Sequence, residues 1–334
     1  MNEMAEKRVL VTGGAGFIGS EVVRQLVHQN ADVTVLDDFS SGKMYYIEKF
    51  DGVNIIKGDV CDDETVSEGL VDQESVIHLA ALPFIPDCYY HPEEFFKVNA
   101  MGTVKIMQES IQSETVEKFV HISSSEVYGT AKYVPMDEDH PTLPHSTYAV
   151  SKLAADRAIF SMHKEHRFPA VIVRPFNSYG PNITQPYIVP EIALQLLSPS
   201  ESVQLGNAGS SRDFTYVEDT ARGIIMALTN SNAAGETINL GSGRDVEIRE
   251  LVFLMAELFG KHVTIERDST RLRPYDVDRL LCDSSKAKKM LGWQPEVSLE
   301  DGLKRTIEWI SGNSVRFKGP FKGWYQSYYT KTGS

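Results

Sequence analysis

Arg8-Val9-Leu10-Val11-Thr12-Gly13-Gly14-Ala15-Gly16-Phe17-Ile18-Gly19 is the stretch on which the reading of this 334-residue chain turns. Its first five residues form a short, nearly continuous apolar run, the pattern of a buried parallel strand. Glycines 13, 16 and 19 follow at once, and Val22, Val23, Leu26 and Val27 then recur at helical spacing. A strand, a glycine turn and a helix in immediate succession predict a tight βα junction. There the backbone approaches a pyrophosphate, and the first helical amides, around Phe17 and Ile18, attract its charge. The spacing Gly-x-Gly-x-x-Gly carries weight because it lies between those two elements.

A second strand, Val33-Thr34-Val35-Leu36, ends in Asp37-Asp38, about 20 residues past the glycines. An acidic group at that place accepts bonds from the adenosine ribose hydroxyls and repels a 2′-phosphate, so the expected cofactor is NAD rather than NADP. Asp38 is also open to reading as an ordinary loop carboxylate. Asp59, after Val53-Asn54-Ile55-Ile56, is a candidate for the adenine edge or a turn former.

Further along lie Ser123-Ser124-Ser125-Glu126 and Tyr148-Ala149-Val150-Ser151-Lys152. Residues four apart share a helix face, so the Lys152 ammonium is expected beside the Tyr148 hydroxyl, favouring its phenolate. Bringing a phenol of pKa ~10 close to neutrality takes roughly 3 units, about 4 kcal/mol, from that cation and an oxidised nicotinamide ring. Ser124 and Ser125 offer hydroxyls to orient a substrate oxygen. Glu126 is a carboxylate that redox chemistry alone does not require; it also reads as a structural carboxylate held by backbone amides.

Together, the glycine motif, Asp59-Val60, His78-Leu79-Ala80-Ala81, Asn99, the serine cluster and Tyr148/Lys152 resemble the extended short-chain dehydrogenase/reductases that act on nucleotide sugars. The likeness continues through Arg174-Pro175-Phe176-Asn177, Arg212-Asp213-Phe214 and Arg273-Pro274-Tyr275-Asp276, and ends at Leu291-Gly292-Trp293. It implies that Val60, Leu79, Ala80, Ala81 and Asn99 join the glycines and Asp37 around NAD. It also implies that Asn177, Arg212 and Arg273 hold the substrate diphosphate. Arginine suits that task because its planar fork donates two parallel bonds to phosphate oxygens. Arg279 is a weaker third candidate, and Arg271 reads better as a salt bridge.

Composition agrees. A chain 42% hydrophobic buries a large core as one big domain or two intimate ones. No apolar stretch reaches membrane-span length, and Met1-Asn2-Glu3-Met4 does not read as a signal peptide. Three dispersed cysteines, Cys61, Cys88 and Cys282, imply a reduced cytoplasmic setting, and no metal site is expected. His163 and His166, on an apparent helix, lack companion ligands and read as a solvated face. The net charge of −13 argues against nucleic acid or an anionic membrane as partner.

Strand-like runs alternate with helical ones through residues 1–180, predicting a doubly wound parallel sheet of the Rossmann kind that binds NAD. Residues 181–334 are expected to form a smaller, mixed α/β substrate-binding region. The boundary is interleaved, because Glu236-Thr237-Ile238-Asn239-Leu240 looks like a strand returning to the main sheet. Ser298 and Asp301 suggest a capping box for a last helix. Beyond it the tail from Phe317 to Tyr329 is rich in aromatics. Apolar positions on several faces of 104–111 and 153–162 suggest a homodimer.

The resemblance implies four activities: 4-epimerisation, 4,6-dehydration, decarboxylation of a uronic acid, and simple reduction. The first three begin alike, with Tyr148 taking the O4 proton while C4 gives hydride to NAD. Dehydration then needs a base at C5, the role expected of Glu126. Dehydrating relatives specific for thymidine-linked glucose carry Asp-Glu where this chain has Ser125-Glu126. The Ser-Glu pair resembles GDP-mannose 4,6-dehydratases and UDP-glucuronate decarboxylases. A nucleotide-sugar 4,6-dehydratase is the leading expectation, with a 4-epimerase next. A silent NAD-binding sensor is the non-enzyme alternative, disfavoured by the intact Ser124, Tyr148 and Lys152.

Overall fold

The computed structural model describes residues 4–317; the aromatic tail lies beyond them. In chain order the strands are β1 (Arg8–Thr12), β2 (Asp32–Asp37), β3 (Asn54–Lys57), β4 (Ser75–His78), β5 (Lys118–Ile122) and β6 (Ala170–Pro175). There follow β7 (Asn177–Tyr179), β8 (Ser202–Leu205), β9 (Ser211–Tyr216), β10 (Thr237–Leu240), β11 (Asp245–Glu247) and β12 (Thr264–Arg267).

Seven strands form one parallel sheet in the order β10-β6-β5-β4-β1-β2-β3. The central strands are apolar on both faces because both faces are covered. Val9, Val11, Val35, Ile77, Val120 and Val173 point to one side, against the helices Phe17–His28 and Val217–Thr229. Leu10, Leu36, Val76, Phe119 and Ile172 point to the other, against Thr103–Gln112 and Thr147–His166. Burying one such side chain stabilises the fold by about 1.5–3 kcal/mol before entropy is counted, which is why the alternation of strand and helix dominates the sequence pattern.

The order of strands reverses at β1. From there the chain builds outward through β2 and β3, then crosses to β4 on the other side. Carboxyl-terminal strand ends on either side of such a switch leave a crevice. Gly13, Asp37, Leu79, Ser123 and Phe176, each at or just beyond the end of its strand, all line it.

β10 pairs with β6 in parallel register, Ile238 opposite Val173, so the second half of the chain supplies an edge of the main sheet. A separate sheet, β11-β9-β7, and the β12-β8 pair build the smaller region. Its core lies between the helices Ile188–Leu197, Ile248–Leu258 and Leu299–Phe317. The last of these starts as its capping residues predict. Ser298 Oγ accepts the Asp301 N–H at 3.1 Å and donates to the Asp301 carboxylate at 2.8 Å. Among the described residues no helix is long and apolar enough to cross a membrane.

Candidate active site

One cleft runs from the glycine turn to the loop holding Arg273. At its first end Gly13 adopts φ +70°, and a Cβ there would lie 2.7 Å from the Ala80 amide nitrogen. A Cβ on Gly19 would lie 2.1 Å from the Gly13 carbonyl oxygen. Both positions therefore exclude a side chain. Gly16 provides no side-chain cap for the helix Phe17–His28, whose first residues, Phe17 and Ile18, line the cleft. Helix amides at that place attract a phosphate.

Asp37 ends β2 inside the same cleft. Its Oδ2 accepts the Ala15 N–H at 2.9 Å and its Oδ1 the Phe39 N–H at 2.9 Å. The carboxylate thus braces the glycine turn while each oxygen keeps a second lone pair. Burial pushes its pKa up, against those two bonds. Asp38 is exposed and accepts from the Ser40 amide and hydroxyl, a turn geometry at the cleft edge. Asp59, Val60, Leu79, Ala80 and Ala81 also line the cleft. A backbone cradle, a free helix start and an acidic strand end suit an adenine dinucleotide.

Asn99 departs from expectation. It is fully buried within a π-helical stretch, Phe96–Gly102, and does not line the cleft. Its side chain is spent on the Leu82 N–H (2.7 Å), the Leu82 carbonyl (3.1 Å) and Ser151 Oγ (3.0 Å). It holds the loop that touches the cleft instead of touching a ligand. The polar side chain was legible in the sequence; its direction was not.

Mid-cleft, β5 runs into Ser123, and Ser124 caps a short 3-10 turn, Ser125–Tyr128, by accepting the Glu126 N–H at 3.2 Å. Ser146 caps the helix Thr147–His166 through the Ala149 N–H at 3.1 Å. This fixes Tyr148 and Lys152 on one face, and both line the cleft with Ser123, Ser124, Ser125 and Glu126. Tyr148 packs edge-on against Phe95, ring centres 6.2 Å apart.

Burial pushes the Tyr148 phenol up to about 12, with a Ser124 hydrogen bond pulling down and Glu126 pushing further up. The lowering expected from Lys152 does not prevail in the protein alone. Burial also brings Lys152 down to about 8, opposed by Asp156.

Glu126 is 9% exposed and faces the cleft. No hydrogen bond or ion pair among the described residues involves its carboxylate. It lies within electrostatic range of Tyr148 and of Arg212. The alternative of a carboxylate tied to backbone amides does not hold.

At the far end Arg212, on β9, and Arg273 each approach Asp276 Oδ1 at 3.4 Å. Next to Arg212, Asp213 accepts the amides of Ser242, Gly243 and Cys282, which fixes the strand. Asn177 lines the cleft with its Oδ1 buried and without a partner among the described residues. Arg271 pairs with Glu191 and Asp268, as read from the sequence, yet it too lines the cleft. Arg279 is engaged with Asp245, 2.6 Å away, and stands outside the cleft. His163 Nδ1 meets the Phe168 carbonyl at 2.8 Å.

Sequence reasoning missed the apolar wall formed by Pro83, Phe84 and Tyr187, with Phe84 and Tyr187 rings 6.1 Å apart.

A parallel sheet with this cradle, and a Tyr/Lys helix facing serines across one cleft, define an extended short-chain dehydrogenase/reductase. The family model for GDP-mannose 4,6 dehydratase matches residues 10–306, and the chain belongs to that family. It is an enzyme of the nucleotide-sugar dehydratase and epimerase kind. A dTDP-glucose 4,6-dehydratase of Streptomyces niveus is 31% identical over 92% of this chain and 93% of its own. The solved dTDP-glucose 4,6-dehydratase of Streptomyces venezuelae, with NAD and TYD bound, superposes with a TM-score of 0.86 at 30% identity, covering 93% of this chain and 99% of that one. An epimerase of Methanothermobacter thermautotrophicus gives 0.87 at 30% identity, covering 95% and 96%.

Proposed function

We propose that the protein is an NAD-dependent nucleotide-sugar 4,6-dehydratase, converting a nucleoside-diphosphate hexose to its 4-keto-6-deoxy form. The observation that carries this reading is Glu126, an unengaged carboxylate on the cleft wall beside Tyr148. NAD supplies a hydride acceptor for C4 and a hydride donor for C6.

The residues divide the remaining work. Tyr148, steadied by Ser124, takes the O4 proton, and Lys152 lends positive charge to that transfer. The resulting ketone acidifies C5, and Glu126 removes the C5 proton and gives it to the departing C6 hydroxyl. This leaves an ene-ketone that would take the returning hydride at C6 and a solvent proton at C5. Ser125 orients; a hydroxyl is too weak an acid to serve in place of a carboxylic acid. Gly13, Gly16, Gly19, Asp37 and the Leu79-Ala80-Ala81 segment hold NAD, and Asp37 selects against a 2′-phosphate. Arg212, Arg273 and Asn177 hold the substrate diphosphate, with Asp276 keeping the two guanidinium groups aligned.

In this reading residues 1–180 bind NAD and carry the groups that act on the sugar, and residues 181–334 supply the rest of the nucleotide-sugar site. A cytoplasmic setting suits its three free cysteines. Met101, Val150 and Phe160 are exposed around the helices Thr103–Gln112 and Thr147–His166 and suit a homodimer, checked by light scattering.

The test is product analysis in D₂O with UDP-, GDP- and dTDP-hexoses. A 4-keto-6-deoxy sugar carrying deuterium at C5 supports dehydration. A C4-inverted hexose with no deuterium on carbon marks an epimerase.

A further inference from the structure

Behind the cleft, one turn along the helix from Lys152, lies Asp156, itself only 1% exposed. Arg174 from β6 approaches its Oδ2 with Nε and Nη2, each at 3.0 Å. Arg174 in turn donates to the Tyr128 hydroxyl at 2.9 Å, and Tyr128 donates to Asn239 Oδ1 at 2.8 Å. Asp156 Oδ1 lies 3.4 Å from His121 Nε2 on β5 and makes no hydrogen bond among the described residues.

An arginine partner alone does not account for this aspartate. A buried carboxylate with one oxygen left without a hydrogen bond is costly unless its charge is used. Burial holds His121 down to about 4, so it is neutral near pH 7 and does not cancel that charge. Against burial, His121 and then Arg174 hold Asp156 in its charged form, and Asp156 is the anion that opposes the loss of the Lys152 proton.

We propose that Asp156, clamped by Arg174, is a positioning residue that keeps the Lys152 ammonium charged beneath Tyr148. The charged and titratable groups that interact with Lys152 are Asp156 on its own helix, His78 on β4 and His121 on β5, with Tyr148 one turn before it on the helix. The two histidines are neutral. Asp156 thus supplies the attraction that burial of an ammonium requires. The proposal rests on Tyr148 and Lys152 acting as base and cation.

The experiment follows Lys152 directly, by NMR of lysine labelled with ¹³C at Cε, with Lys152→Met identifying its signal. Wild type should titrate near 8. Asp156→Asn should titrate about one unit or more lower, and Asp156→Glu should stay close to wild type. Activity gives the second reading. The rate needs charged Lys152, so it is lost as pH rises through that titration. For a one-unit shift the Asp156→Asn deficit should therefore be about fivefold larger at pH 8 than at pH 6.

An unmoved Lys152 signal in Asp156→Asn overturns the proposal. A shifted signal with a pH-independent rate instead faults the assignment of Tyr148 and Lys152, not that of Asp156. Should Asp156→Asn fail to fold, Asp156→Asn with Arg174→Met removes both buried charges, and Lys152 must still titrate below wild type.

Discussion

The Asn99 side chain grips both backbone groups of Leu82, accepting its N–H at 2.7 Å and donating to its carbonyl at 3.1 Å. Leu82 and its neighbour Pro83 wall the cleft, so one amide sets the position of a ligand-facing loop. Asn99→Ala leaves two backbone groups without those partners, a cost of about 1–3 kcal/mol each where water cannot replace them. Denaturant unfolding should show a loss of about 2 kcal/mol or more, with Asn99→Asp, which keeps only the acceptor, in between. An unchanged midpoint would count against this role.

Glu126→Gln tests the base at C5 without disturbing Ser124, Tyr148 or Lys152. C4 oxidation should continue, so NADH and a 4-keto sugar accumulate while elimination slows roughly 10²–10⁴-fold. Tyr148→Phe should fail earlier, with neither NADH nor ketone formed. A Glu126 variant that keeps most of its turnover would make the carboxylate dispensable and return the choice to epimerisation.

Asp37 performs two tasks, so Asp37→Ala should show two effects. Loss of the ribose acceptor and of the bonds to Ala15 and Phe39 should weaken NAD by about tenfold or more, equivalent to ~1.4 kcal/mol. Rejection of NADP should relax at the same time. Calorimetric titration checks both, and equal affinity of the unaltered protein for the two cofactors would contradict the reading.

His121 makes stability depend on pH. Burial pushes it from the ordinary 6.5 down to about 4, and His78 moves the same way. Between those values the unfolded chain binds the extra proton, so stability is full above 6.5 and falls as pH drops toward 4. At ~1.4 kcal/mol per unit the His121 contribution is about 3 kcal/mol. Urea unfolding at several pH values should show that slope, reduced in His121→Gln. An identical slope in the variant would assign the acid sensitivity elsewhere.

Strands β1 and β2 were visible in the sequence, because a strand buried on both faces must be largely apolar, and β10 was visible as a strand returning to the main sheet. The glycine turn and Asp37 were legible for a related reason: backbone approach and strand-end acidity each demand a residue type at a fixed spacing. The strands β7 and β11 were not read as strands, since each is three residues long, and β9 was not because polar residues interrupt its apolar run. Periodicity was equally silent on Asn99, Asp156 and Tyr187. The roles of Asn99 and Tyr187 depend on which group lies opposite in space, and Leu82 and Phe84 are set there by the fold, not by nearness in the chain; that of Asp156 depends on Arg174, which β6 brings to it. Electrostatics held the other surprise, because the burial that raises Tyr148 and lowers Lys152 has no signature in a four-residue spacing.

The pairing of β10 with β6 also governs the order in which this chain can be assembled. A ribosome releases Ala170–Pro175 well before Thr237–Leu240, so for that interval the outer backbone groups of β6 have no neighbour. An unpaired strand with a run such as Ala170-Val171-Ile172-Val173 is adhesive. The newborn protein therefore passes through a stage in which its finished-looking N-terminal half has an open flank. A fragment cut at residue 180 would be arrested there, prone to associate with copies of itself until the missing strand is supplied.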